Sequence, residues 1–335
     1  MKAVYIKEFG AADNLEIREV ENPPSPRNTE VLIRVRAAGL NRADILQRKG
    51  FYPAPPGAPE RIPGLEFAGE IAEIGENVKD FQIGERVFGI TAGGAQAEYL
   101  LSEASLLVKI PENLSFTQAA AVPEAFVTAS DAIFTQGNLR NNETLLIHAV
   151  GSGVGLAALQ LAKAKNIRAI GTSRTLDKLK KCEEFGLDCG ITIDKDSVTS
   201  NSQEFAAMIR QETGEKGADV ILDLVGASYF AENLASLATK GRLILVGLTG
   251  GAVAKEFNLG TVLSKRLQIV GTVLRSRSIA EKAAATRIFA ADVVPLLASG
   301  KIKPNVDRIF RLEEIGEAHE YLESNQSFGK VILEF

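Results

Sequence analysis

The chain of 335 residues contains no tryptophan, two cysteines, two histidines and two methionines. Cys182 and Cys189 form neither a CxxC pair nor a Cys/His cluster, which excludes a disulfide framework and a cysteine-built zinc site and leaves two reduced thiols. His148 and His319 have no readable partners for a nucleophile–base triad, so neither is assigned a general-base role. No run reaches the ~18 apolar residues of a membrane helix. The opening MKAVYIKEFG is charged where a signal peptide would be apolar, so a cytoplasmic location is expected. A net charge of −4 with no Lys/Arg-rich run argues against nucleic acid as a partner. Low-complexity tracts and internal repeats are also missing.

What is present is 45% hydrophobic content, enough for a large core and about two domains at this length. The first third predicts short strands at Ala3–Ile6, Leu15–Val20, Val31–Ala38, Glu66–Ile74, Arg86–Gly89 and Gln96–Leu101, punctuated by Asn, Gly and Pro turns. Such spacing points to a compact, barrel-like β domain. Within it Asn41 to Lys49 reads as a helix with Asn41 at its cap, followed by a proline-rich loop from Phe51 to Pro59. A long helix, Phe116–Thr135, is expected to bridge two domains.

From Leu145 strands alternate with helices. Strands are predicted at Leu145–Ala149, Arg168–Ser173, Cys189–Ile193, Ala218–Val225, Arg242–Gly247 and Gln268–Leu274, the rhythm of a doubly wound parallel sheet. Helices at Ile279–Leu297 and Leu312–Ser324 and a closing run Gly329–Phe335 then return to the first domain. The first strand leads into VGSGVG, where Gly151, Gly153 and Gly155, with Ser152 and Val154, open a helix. Glycines there permit a sharp turn and close approach to a pyrophosphate, which the helix N-terminus attracts. The spacing departs from G-x-G-x-x-G, so the turn alone is weak evidence.

The second strand tests the cofactor. An NAD site usually ends it in Asp or Glu about 20 residues past the glycines. Here it ends in Thr172-Ser173-Arg174, with Lys178 one turn into the next helix. Ser173, Arg174 and Lys178 suit a 2′-phosphate, favouring NADPH; the alternative reads the two cations as solvated charges at a helix start.

GLNRAD (Gly39–Asp44), IPGLEFAGEI (Ile62–Ile71), GERVFG (Gly84–Gly89), AQAEY (Ala95–Tyr99), the SGVG turn, VLRSR (Val273–Arg277) and the late Gly329-Lys330 occur in collinear order. Together they resemble the zinc-independent, zeta-crystallin-like quinone oxidoreductase branch of the medium-chain dehydrogenase/reductase superfamily, closest to stress-induced NADPH quinone oxidoreductases. The resemblance implies a GroES-like β domain over 1–122 and 276–335 and a Rossmann domain over 123–275. It implies hydride transfer from NADPH to a quinone without metal, with an enone or alkenal double-bond reductase and a structural or RNA-binding zeta-crystallin-like protein as alternatives. Asn41 and Thr128 would lie near the nicotinamide, with Tyr52 in the cleft loop and Val225, Gly247, Leu248 and Thr249 on loops beside the ring. Gly329 and Lys330 match a position where a basic side chain reaches the pyrophosphate. Asn41 also reads as a plain cap, Thr128 and Tyr52 as packing residues, and Lys330 as a surface lysine on an edge strand. Glu66 stands where zinc relatives keep an acid near the metal, and here it is expected to pair with a neighbouring donor. A homodimer is implied, through sheet extension near Leu267–Val273.

Overall fold

The computed structural model describes residues 1–193, 202–255 and 257–335, with the side chains of 202–204 outside that description. In chain order, the strands are β1 (Lys2–Ile6), β2 (Leu15–Glu19), β3 (Glu30–Leu40), β4 (Glu66–Ile74), β5 (Arg86–Ile90), β6 (Tyr99–Glu103) and β7 (Leu107–Lys109). There follow β8 (Thr144–Ile147), β9 (Arg168–Ser173), β10 (Cys189–Thr192), β11 (Ala218–Asp223), β12 (Leu237–Leu245) and β13 (Gln268–Gly271), then β14 (Val306–Arg311) and β15 (Lys330–Glu334). Two compact units result: Met1–Val127 with Leu274–Phe335, and Thr128–Val273.

The first unit is built on a seven-stranded sheet in which β14-β15-β3-β4-β5-β7 are neighbours and β6 also pairs with β3. β3 is its longest strand: Ala37–Leu40 pairs antiparallel with β15, Glu30–Arg34 with β6, and Val31–Ala38 with β4. Val31, Ile33, Phe67, Ile71 and Val87 alternate inward from these strands to form one core. Phe88 packs edge-to-face on Phe289 of the helix Ile279–Asp292, at 5.9 Å between ring centres.

The second unit is a six-stranded parallel sheet ordered β10-β9-β8-β11-β12-β13. The order reverses between β8 and β11, which makes a crevice at the carboxyl ends of those strands. Leu146, Ile170, Ile221 and Leu243, one from each of the four central strands, fill the same core. Arg242 ties this sheet to the segment before it: its guanidinium donates to Gly137 O and Asn138 O and grips the Glu143 carboxylate with both terminal nitrogens.

Several predicted elements differ. The helix expected over Phe116–Thr135 is broken, because Pro123 has no N–H to continue it. It becomes Phe116–Ala119 and Pro123–Ser130, running into a π-helical segment Asp131–Gln136. Thr128 therefore lies near the end of a short helix, not inside a long one. Pro295 likewise opens a separate helix, Val294–Ala298, where one helix to Leu297 was expected. β12 begins at Leu237 instead of Arg242, helped by a register shift at Ala218/Val220 and a left-handed Lys240 at φ 65°. No helix among the described residues is long and apolar enough to cross a membrane.

Candidate active site

In the first unit the end of β3, the start of β4 and the start of β15 converge on one buried ion pair. Lys330 Nζ lies 2.5 Å from Glu66 Oε1. It also donates to Leu40 O and to Asn41 Oδ1, each at 2.7 Å. Asn41 sits at the capping position of the helix Arg42–Arg48, where Asp44 Oδ2 takes its N–H at 2.7 Å. Its carboxamide turns to the ion pair instead: Nδ2 donates to Glu66 Oε1 at 2.9 Å and to Gly39 O at 3.3 Å. A Cβ at position 39 would meet Glu66 Oε1 at 2.4 Å, so only glycine admits the carboxylate this close. Glu66 therefore has the partner anticipated for it, and Lys330 is 5% exposed on an inner strand rather than at an edge.

Around this pair the unit gathers further ionisable groups. Asp44 Oδ1 accepts the Gly64 N–H at 2.9 Å, yet full burial pushes the carboxyl up to about 6. Glu124, in the first turn of Pro123–Ser130, donates its backbone N–H to Glu66 Oε2 at 2.8 Å. Burial, reinforced by the Glu66 charge, pushes its carboxyl up to about 8. Arg275, 4% exposed, donates Nε to Ala92 O, Nη1 to Tyr52 O and Nη2 to Gln47 Oε1. Its guanidinium stands 4.9 Å from the centre of the Tyr52 ring, pinning the proline-rich loop. Burial raises the Tyr52 hydroxyl above its ordinary value, with Arg275 opposing. Asp44, Glu124 and Arg275 were not singled out from the sequence; Asp44 and Arg275 lie inside the GLNRAD and VLRSR motifs, the one signal that could have found them.

In the second unit the expected cofactor residues collect at the carboxyl edge of the parallel sheet. After β8 the chain turns through Ala149, at φ 49°, and Ser152 caps the helix Gly153–Ala164 by accepting the Gly155 N–H at 3.1 Å. A Cβ on Gly155 would meet Ala149 O at 2.6 Å, so glycine is required for helix and strand to pack this tightly. Ser173 closes β9 and Arg174, which is exposed, follows it, with Lys178 on the next helix Leu176–Glu183. The loops after β11 and β12 are stitched together: Gly250 N–H donates to Val225 O, Ala227 N–H to Gly251 O and Thr249 Oγ1 to Leu224 O. Val225, Gly247, Leu248 and Thr249 are thus brought side by side.

Beneath this edge runs a buried polar chain. Asp223, at the end of β11, accepts the N–H groups of Val225 and Gly226 and, through Oδ2, Asn233 Nδ2. Asn233 Oδ1 then faces His148 Nε2 at 2.6 Å, and His148 Nδ1 faces Thr172 Oγ1 at 2.9 Å. Since Asn233 presents its oxygen, His148 is the Nε2–H tautomer and Thr172 donates to it. The histidine is structural: burial holds it below its ordinary pKa, with Asp223 pulling the other way.

These residues fit a nicotinamide dinucleotide. The glycine cradle and helix N-terminus accept a pyrophosphate, and the end of β9 offers hydroxyl and guanidinium groups in place of an acid. Glu66 is bound by an ammonium, both cysteines lie in the second unit, and among the described residues no group of three or more His, Cys, Asp or Glu side chains is placed to hold a metal.

Comparison with known proteins gives two family matches in succession along the chain. Residues 27–112 match the alcohol dehydrogenase GroES-like domain, and residues 153–290 match the zinc-binding dehydrogenase family. Human quinone oxidoreductase is 32% identical over 335 residues, covering 99% of this chain and 97% of the relative. The chain belongs to the quinone oxidoreductase branch of the medium-chain dehydrogenase/reductase superfamily. It is an oxidoreductase with a GroES-like and a Rossmann domain and a nicotinamide cofactor. Similar solved structures include a mycobacterial protein complexed with NADPH (28% identity, TM-score 0.88, 100% of both chains covered). Another is a Pseudomonas syringae quinone oxidoreductase (29%, 0.87, 100% of this chain and 99% of that one), and a third is the JamJ enoyl reductase (26%, 0.85, 99% and 98%).

The neutral His148 has a measurable consequence. Its folded-state pKa lies below the ordinary 6.5, so below that pH the unfolded chain binds a proton that the folded protein refuses, and stability falls with pH. In urea unfolding from pH 7.5 to 5.5, the wild type is expected to lose stability relative to His148→Gln as pH falls below 6.5, with a slope of at most about 1.4 kcal/mol per pH unit. Parallel curves for the two proteins would exclude the assignment.

Proposed function

We propose that this protein is a zinc-independent, NADPH-dependent quinone reductase. The observation that carries the reading is the Lys330–Glu66 ion pair. Glu66, matching the acid that zinc relatives keep near the metal, is here held by an ammonium, and no metal-holding group of three or more His, Cys, Asp or Glu occurs among the described residues, which supports hydride transfer to an electron-poor acceptor as the chemistry of this unit. The reduced nicotinamide, when bound, supplies that hydride.

The protein's own residues orient and stabilise. Gly151 to Gly155 would hold the pyrophosphate against the helix N-terminus, while Ser173, Arg174 and Lys178 would take the 2′-phosphate. Val225, Gly247, Leu248 and Thr249 would border the ring, with Thr128 beside it. Asn41 has spent both amide protons on Glu66 and Gly39, so its contribution is to orient Lys330 and the end of β3. Lys330 is committed to the same network, which supports a role in holding that network over contact with the pyrophosphate. Tyr52 keeps a hydroxyl with no hydrogen bond among the described residues, suited to an acceptor oxygen that becomes anionic as hydride arrives.

An enone or alkenal double-bond reductase is the second reading, supported by the likeness to an enoyl reductase and by the neutral acid Glu124 in the same cluster. A homodimer is also proposed. β13 is an edge strand paired only with β12, and Leu259, Leu263, Ile269 and Val273 around it are exposed, a surface suited to sheet extension by a second copy.

Three measurements decide these points. Purified protein is expected to consume NADPH with a small ortho-quinone faster than with an α,β-unsaturated aldehyde; the reverse order selects the second reading, and no turnover with either removes both. Arg174→Ala should raise KM for NADPH about tenfold or more, leaving NADH almost unchanged, in keeping with the loss of one charge-assisted contact. Light scattering should give twice the 35.9 kDa chain mass, shifting to the monomer in Ile269→Lys; a monomeric wild type excludes the edge-strand dimer.

A further inference from the structure

We propose that Arg275 and Gln47 form a staple that holds the proline-rich loop, and with it Tyr52, in place before the acceptor binds, which makes both of them positioning residues for the reaction. This rests on the hydride-transfer reading above, in which Tyr52 meets the acceptor oxygen. Both side chains belong to the first unit and both are buried, Arg275 at 4% exposure and Gln47 at 1%.

The loop cannot hold itself. Pro53, Pro55, Pro56 and Pro59 have no N–H to give, and between Pro53 and Glu60 the described residues make one internal backbone hydrogen bond, Ala58 N–H to Pro55 O at 3.0 Å. Its two ends are fixed from outside. At the near end Arg275 Nη1 donates to Tyr52 O at 3.2 Å, and the guanidinium lies over the Tyr52 ring. At the far end Gln47 Nε2 donates to Glu60 O at 2.9 Å. Arg275 Nη2 donates to Gln47 Oε1 at 2.7 Å, so the two ends are joined through one carboxamide. Arg275 Nε anchors the assembly on Ala92 O at 2.8 Å. The next residues are Gly93 and Gly94, and Pro59 packs there so closely that a Cβ on Gly94 would come within 3.2 Å of its ring.

Each part needs its own residue type. Three acceptors on three segments and one aromatic face are reached by a planar fork of N–H groups; a lysine ammonium would carry the charge without that geometry. Gln47 accepts on one side and donates on the other, which a carboxamide does and a carboxylate cannot. The consequence is pre-organisation. Tyr52 is set in position in the free protein, so the cost of ordering the loop is not subtracted from acceptor binding.

Proteolysis and kinetics test the staple and its role separately. Phe51 is 77% exposed at the start of the loop, so chymotryptic cleavage after it, read by mass, reports how often the loop opens. Arg275→Met should speed that cut about tenfold or more over the wild type. Gln47→Glu, which still accepts from Arg275 but has no proton for Glu60 O, should speed it less, and free guanidinium ion should slow it again in Arg275→Ala. With a small ortho-quinone, Arg275→Met should raise KM for the quinone about 10- to 100-fold and leave KM for NADPH unchanged, as expected for a displaced contact residue. Arg275→Lys should behave like Arg275→Met, and guanidinium should restore the quinone KM of Arg275→Ala. Wild-type cutting rates in both Arg275→Met and Gln47→Glu overturn the staple. A freed loop with an unchanged quinone KM, or an Arg275→Lys variant that matches the wild type, overturns the positioning role. Should the Arg275 variants fail to fold, Gln47→Glu carries both readouts. A wild type inactive toward every acceptor overturns the underlying reading instead, and the cutting rates then decide whether the staple exists.

Discussion

A buried ammonium must be surrounded by acceptors, and the first unit is arranged to meet that demand at Lys330. Glu66 supplies the countercharge, Leu40 and Asn41 the remaining oxygens, and β3, β4 and β15 must run in register for all three to reach one nitrogen. Removing either charged partner would leave the other buried and unpaired, so the pair is demanding of its surroundings even where its net contribution is small. It commits Asn41, fixes where Glu66 points and thereby sets the electrostatic surroundings of Glu124. Glycine at position 39 belongs to the same constraint, since any side chain there would collide with the carboxylate.

The second unit solves a different problem. Parallel strands deliver their carboxyl ends to one edge, and the loops leaving that edge have to be held before they can hold a ligand. The buried chain from Asp223 through Asn233 and His148 to Thr172 crosses beneath three of those ends, β11, β8 and β9. Each member is satisfied and each proton has a definite direction, which makes the edge rigid where the glycine turn and the strand-end cations project from it. Specificity for a phosphate can then be written in exposed residues such as Arg174 without disturbing the core.

Much of this was legible in residue order. β4 and β9 coincide with the runs predicted from their apolar patterns, and the glycine turn lies between strand and helix as its spacing implies. Glu66 was anticipated to pair with a donor, though not with which one. Lys330 read as a pyrophosphate contact or else as a surface lysine on an edge strand, because its own strand carries no sign of β14 on its far side. The helix over Phe116–Thr135 read as continuous because the alanine-rich pattern outweighs one proline, and the missing N–H of Pro123 decides otherwise.

The sequence by itself determined two units, a parallel dinucleotide-type sheet without an acid on its second strand, and a chain poor in zinc ligands, because those follow from local pattern and composition. Only the tertiary structure decided that Asp44, Glu66, Glu124, Arg275 and Lys330 share one environment. Their burial and mutual charge arise from strand pairing between distant parts of the chain, and no local pattern records which lysine a carboxylate will meet or which acid will be left to keep its proton.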